Sequence, residues 1–154
     1  MKIAFFDVYN PIPINSGGDW YRFQLLSDMG RDYEVTEYFT YELEGKTGYL
    51  PPAVPFNTQR IPSIIPWHKF SKILDMFKPE YLLSPGFGKE VHADIVFVST
   101  VCYHFAKLIS IIRGVPIVLV MHNVEWQYLK GNGSPLYLPM RIYEHYIMKH
   151  VDAI

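Results

Sequence analysis

Two polar clusters interrupt apolar runs at positions where chemistry can be done. His122-Asn123-Val124-Glu125 follows directly on the apolar run PIVLVM, 116–121. At the tip of a buried strand a polar imidazole is expected to face the strand-end crevice rather than the core. The carboxamide of Asn123 and the carboxylate of Glu125 are either its partners in a crevice or a turn and a helix cap. A hydrogen-bonded structural histidine is the alternative reading of His122. The second cluster, Ser16-Gly17-Gly18-Asp19, has the spacing of a capping box, with Ser16 as N-cap and the Asp19 side chain returning to the Ser16 backbone N–H. Gly17 and Gly18 then occupy the first helical turn. Their amides have no intrahelical partner, and no side chain holds a ligand away. This helix end is a candidate anion or sugar site, although Asp19 opposes an anion. Alternatively, Gly-Gly serves only a tight strand-to-helix turn.

Other chemistries lack their patterns. No Lys-Ser/Thr follows the glycines and no third glycine completes a dinucleotide fingerprint. Gly86-Phe87-Gly88 reads as a turn. No G-x-S-x-G elbow occurs, and the single cysteine, Cys102, lies in an apolar helical pattern without an evident base, as a small buried hydrophobe does. His145 and His150 are spaced poorly for one helix face, and no Asp-x-Asp pair occurs. Neither a metal nor a cofactor is expected.

The elements that position these residues follow from periodicity. Lys2 to Val8 is a short, nearly continuous apolar run, the mark of a strand covered on both faces. Asp19 to Met29 places Trp20, Phe23, Leu26 and Met29 at helical spacing, with Gly30 as a stop. Tyr33 to Phe39 reads as a second strand, and Glu42 to Pro66 as a long loop without a sustained period. A helix opens at Pro66, carrying Trp67, Phe70, Ile73, Leu74 and Phe77, and ends at Pro79. The segment 80–92 fits either a strand, turn and short helix or one broken helix. Asp94 to Ser99 is a buried strand, followed by a helix with Val101, Phe105, Leu108, Ile109 and Ile112 inward and Gly114 at its end. Pro116 to Met121 is a further buried strand. The last helix opens at Pro139, with Met140, Tyr143, Ile147 and Val151 inward. Strands alternating with helices predict an α/β fold, a doubly wound, mostly parallel sheet with helices on both faces, Rossmann-like. Ligands in such sheets bind at the carboxyl ends of the strands. The segments 10–18 and 122–127 therefore matter most.

The 154 residues, 49% of them hydrophobic, suffice for one domain with a real core. A net charge of −1 leaves no electrostatic footprint for a nucleic-acid backbone, so no nucleic-acid partner is expected. Met1 and Lys2 run straight into the first strand, and no apolar run approaches the ~20 residues of a bilayer span. A cytoplasmic protein is expected.

The residues MKIAFFDVYNPIPINSGGDWYRFQLLSDMGRDYEVTEYFT, DIVFVSTVCYHFAKLISIIRGVPIVLVMHNVEW and YEHYIMKHVDAI, in that order, resemble the first domain of the family 4 glycosyltransferases of the GT-B fold. The resemblance covers nearly the whole chain except 42–89. It implies a retaining, metal-independent transfer of a sugar from a nucleotide-sugar donor to a glycan or lipid-linked acceptor. By position, Gly17 and Gly18 would be the donor-approach glycines. His122 would be the catalytic residue that orients the attacking hydroxyl, with Asn123 and Glu125 beside it. The loop from Tyr49 to Trp67 would be an acceptor-side or membrane-facing element, giving a peripheral contact at the inner face of the membrane, or would pack on its own domain. A complete family member carries a second, donor-binding domain with the basic residues that stabilise the diphosphate. Residues 1–154 hold none of it, so the expectation is a single N-terminal domain that is inactive alone. The rival expectations are a stand-alone binding or membrane-docking module, and half of a sugar-nucleotide epimerase.

Overall fold

The computed structural model describes residues 1–41, 47–61, 88, 91–121 and 124–154. The expected helix 66–79 and most of the segment 80–92 lie outside them, as do His122 and Asn123.

Strand β1 (Lys2–Tyr9) has apolar residues on both of its faces. Ala4, Phe6 and Val8 belong to one core cluster, Ile3 and Phe5 to another. With side chains alternating across the sheet, such a strand can only be central. Beside it lie β2 (Glu34–Tyr41), β3 (Asn57–Arg60), β4 (Ile95–Ser99) and β5 (Ile117–Val120). The order is β3-β2-β1-β4-β5 and every pairing is parallel. In register, Ile3 stands between Val35 and Ile95, and Phe5 between Glu37 and Phe97.

Helix α1 (Gly17–Asp32) covers one face, where Leu26, wholly buried, meets Ile3, Phe5, Val35 and Phe56. The other face is covered by α2 (Tyr103–Arg113), entered through a 3₁₀ turn (Thr100–Cys102), and by α4 (Tyr137–Met148). Their Tyr103, Phe105, Ile109, Tyr143 and Ile147 close over Phe6, Val96, Val98, Ile117 and Leu119. Each fully buried aliphatic side chain contributes about 1.5–3 kcal/mol relative to exposure. The short α3 (Glu125–Gly131) links β5 to α4. The doubly wound α/β fold expected from the sequence is the one observed, with every described strand parallel.

Five details differ from expectation. Strand β3 lies inside the expected loop. Its NTQR is exposed throughout, because an edge strand needs no apolar alternation to pair. Helix α1 runs through Gly30 to Asp32. Gly30 does not stop it, and a methyl there would collide with the Pro55 carbonyl, so the residue is small for close packing. Of the expected stripe of α1, Phe23, Leu26 and Met29 pack against the core, but Trp20 is 44% exposed and Arg22, only 9% exposed, lies inward in its stead. Ile112 of α2 is exposed, and α4 begins two residues before Pro139.

The segment 47–56 is pinned to α1 and to the loop before it. Ile14 and Tyr49 exchange both backbone hydrogen bonds at 2.9 Å. The rings of Trp20 and Tyr49 stand 6.4 Å apart, those of Phe23 and Phe56 5.9 Å.

Candidate functional site

The strand order reverses between β1 and β4, and their carboxyl ends open there into a crevice. A cavity of about 250 Å³ occupies it, lined from β1 by Asp7 and Val8, from α1 by Gly18 and Asp19, from the β4 end by Ser99 and Thr100, with Val120 and Glu125 across the mouth.

Alternation along β1 puts Asp7 on the same face as Ile3 and Phe5, beneath α1. A carboxylate there must be paired. Arg22 reaches it from α1, Nη1 to Oδ2, at 2.5 Å. Asp7 Oδ1 accepts from its neighbour Val8 N–H at 2.6 Å and from the Ser99 hydroxyl at 3.2 Å. Glu37 of β2, completely buried on the same face, stands 3.2 Å from Arg22 Nε, and Asp19 3.8 Å from Nη2. Burial works against the guanidinium's charge, but Asp7, then Glu37 and Asp19, outweigh it and hold its pKa above the ordinary value. One cation is thus shared by three carboxylates, and the network ties α1 to β1 and β2 directly under the crevice.

The start of α1 is capped as the sequence predicts, in one half. Ser16 is extended, and its hydroxyl accepts from the Asp19 amide at 3.1 Å. The return contact differs. The Asp19 carboxylate accepts from Asn15 N–H at 3.3 Å rather than from Ser16, because it is drawn towards Arg22 at the same time. Gly17 is exposed, and a methyl built on it meets nothing within 4 Å. Its smallness therefore answers no packing demand of the described residues.

Glu125 opens α3, and its backbone N–H donates to Glu144 Oε1 of α4 at 2.8 Å. Glu144 is 1% exposed. Burial pushes its carboxyl above the ordinary range, against the pull of the Glu125 and Trp126 amides. The position of α3 at the mouth thus depends on a buried side chain from the next helix.

Of the residues singled out from the sequence, Gly18 and Glu125 line one crevice, and Gly17 precedes Gly18 at the helix start. His122 and Asn123 lie outside the described residues. Asp7, Arg22, Glu37, Ser99 and Thr100 were not foreseen. The signal for them is a charge inside a buried run: Asp7 in IAFFDV, and Glu37 in a strand whose neighbours Tyr38 and Phe39 are buried. Cys102 is buried against the core, as expected of a small hydrophobe. Among the described residues no helix is long and apolar enough to cross a membrane.

No family model and no curated protein sequence matches this chain. Among solved structures, sucrose-phosphate synthase (tll1590) from Thermosynechococcus elongatus superposes with a TM-score of 0.61 at 14% identity, over 98% of this chain and 41% of that one. The likeness is one of fold. The glycotransferase of kitacinnamycin matches at a TM-score of 0.47 and 15% identity, over 96% of this chain and 40% of its own. This chain therefore spans about two fifths of the length of either protein.

Proposed function

We propose that residues 1–154 are the acceptor-side domain of a two-domain glycosyltransferase of the family 4, GT-B kind. It would move a sugar from a nucleotide-sugar donor to a glycan or lipid-linked acceptor, with retention and without a metal. The observation that carries this reading is the crevice at the β1/β4 switch point, where Gly18, Asp7, Thr100 and Glu125 converge on the carboxyl rim of the sheet. Gly18 is one of the donor-approach glycines that the resemblance implies, and Glu125 belongs to the polar cluster that follows the last buried strand. The fold shared with a sucrose-phosphate synthase supports it at the level of architecture.

In this reading the sugar hydroxyls are held by Ser99, Thr100 and the rim carboxylates. His122, two residues beyond crevice-lining Val120 in sequence, orients the attacking hydroxyl together with Asn123. Gly17 lets the donor approach the first amides of α1. The leaving diphosphate needs a cation, and Arg22 cannot serve, being held by Asp7 and Glu37. That charge falls to a second domain outside these residues, so the isolated chain does not turn over. Exposed Tyr49, Leu50 and Val54, pinned beside α1, would contact the far part of the acceptor or the cytoplasmic face of a bilayer.

The test is a transfer assay on the chain extended by its donor-binding domain. Transfer persisting in chelator, absent from residues 1–154 alone, and reduced at least about 100-fold by His122→Ala supports the reading. Undiminished transfer by that variant refutes the role of His122. Nucleotide release without any acceptor would point to an epimerase instead.

A further inference from the structure

Helix α4 is apolar on two sides. Tyr143 and Ile147 are buried in the core, yet Leu138 and Ile142 on the opposite side are 51% and 66% exposed, with Met148 exposed beyond them. Together with Trp126 of α3 these three side chains form a groove of about 400 Å³, completed by Arg141 and His145. A helix that is apolar all round is ordinarily covered. The charge around the groove has one sign. From residue 126 to 151 the only acid is Glu144, which is buried, whereas Lys130, Arg141 and Lys149 are exposed. The Arg141 guanidinium lies over the Trp126 ring, 5.2 Å from its centroid. The segment 47–54, with its exposed Tyr49, Leu50 and Val54, holds by contrast no charged residue.

We infer that the face made by α3 and α4 docks on an anionic phospholipid bilayer, lying in its headgroup layer rather than crossing it. The aliphatic tips of Leu138, Ile142 and Met148 gain by reaching the acyl boundary, while the Trp126 indole and the cation stacked on it stay among the headgroups. Each Lys or Arg held near a negative lipid surface adds about fivefold to the partition. A second copy of the chain suits the face poorly. Two-fold pairing through it would set Arg141 and Lys149 against the same cations of the other copy. The face also adjoins the crevice, since Glu125 lines the crevice and the next residue, Trp126, lines the groove. Docking itself needs no sugar chemistry. On the sugar-site reading above, however, it brings the crevice mouth to the headgroup layer, where a lipid-linked acceptor presents its sugar.

Flotation of the 154-residue chain with vesicles of phosphatidylcholine alone, and with vesicles that add about 30% phosphatidylglycerol, tests this without any sugar present. Binding to the anionic vesicles should exceed binding to the neutral ones at least about tenfold and fall steeply in about 0.5 M salt. Leu138→Ser combined with Ile142→Ser, both at exposed positions, should lower it at least about tenfold while the circular dichroism stays unchanged. Arg141→Gln combined with Lys149→Gln should lower it by about tenfold or more and flatten the salt dependence. Leu50→Ser should leave it unaltered. Equal binding to both kinds of vesicle, or full binding by the Leu138 and Ile142 variant, overturns the inference. Loss of binding in Leu50→Ser moves the contact to the segment 47–54 and overturns it as well. Binding to neither vesicle leaves the face to an acidic protein, and a dimer that the Leu138 and Ile142 variant dissolves gives it to a second copy; both outcomes refute the bilayer. None of these results bears on the crevice, whose sugar binding is read separately.

Discussion

Asp7 at the end of β1 and Arg22 in the second turn of α1 are joined at 2.5 Å, with 6% and 9% of their surfaces exposed, across fifteen residues of sequence. This pair decides how α1 sits on the sheet. It rotates Arg22 inward, turns Trp20 outward, and presents the α1 N-terminus to the crevice.

Removing the cation leaves Asp7 and completely buried Glu37 facing each other's charge. Arg22→Ala should lose about 3–5 kcal/mol of unfolding free energy, the usual consequence of breaking a buried pair from one side. Arg22→Met, which keeps the bulk, should recover only part of this. Urea denaturation measures both, and a loss below about 1 kcal/mol for the alanine variant would show that the network is not structural.

Two glycines of the same helix should respond oppositely to one methyl group. At Gly17 the methyl enters open space, so Gly17→Ala should stabilise by about 0.4–1 kcal/mol through the unfolded chain. The same variant should weaken transfer in the two-domain enzyme at least tenfold if the donor approaches this backbone. Increased stability with unchanged transfer would assign Gly17 to no ligand.

At Gly30 the methyl meets the Pro55 carbonyl. Gly30→Ala should destabilise by about 1–3 kcal/mol, against a helix-propensity gain of about 1 kcal/mol. Thermal unfolding reads the sign, and a raised midpoint would mean that the segment 47–56 moves aside without cost.

The buried Glu144 should leave a signature in the pH dependence of stability. Its carboxyl is raised above 4.5 by burial, so the folded state holds a proton that the unfolded state has already released. Stability on this account is greatest below the ordinary carboxyl range and declines as pH rises from about 4.5 through the higher folded value. Glu144→Gln removes that decline and should gain on the parent protein as pH increases from 5 to 7. Parallel stability curves for the two proteins would contradict the assignment.

The central strands were legible because both their faces are covered. IAFFDV, DIVFVS and PIVLVM are nearly unbroken apolar runs, and they are β1, β4 and β5. Strand β3 was not legible, since NTQR at an open edge buries no side chain and pairs through its backbone alone. Phe23, Leu26 and Met29 of α1 face the core as their spacing predicts, but a guanidinium, Arg22, is buried beside them while the indole of Trp20, which looks like core, is largely exposed. At the candidate site, the capping pattern exposed Gly18 and the strand tip exposed Glu125. The partners Asp7, Ser99 and Thr100 come from two strand ends that are 92 residues apart for Asp7 and Ser99. Only the parallel register of β1 and β4 reveals that they meet.

The central claim, that sugar binds at the β1/β4 switch point, is tested most directly by mapping amide shifts of residues 1–154 while glucosamine is added. The account predicts shifts concentrated at Val8, Gly18, Thr100 and Glu125, with β3 unaffected. Shifts confined to the α3–α4 surface around Trp126, Leu138 and Ile142, or an unchanged crevice at saturating sugar, would contradict it.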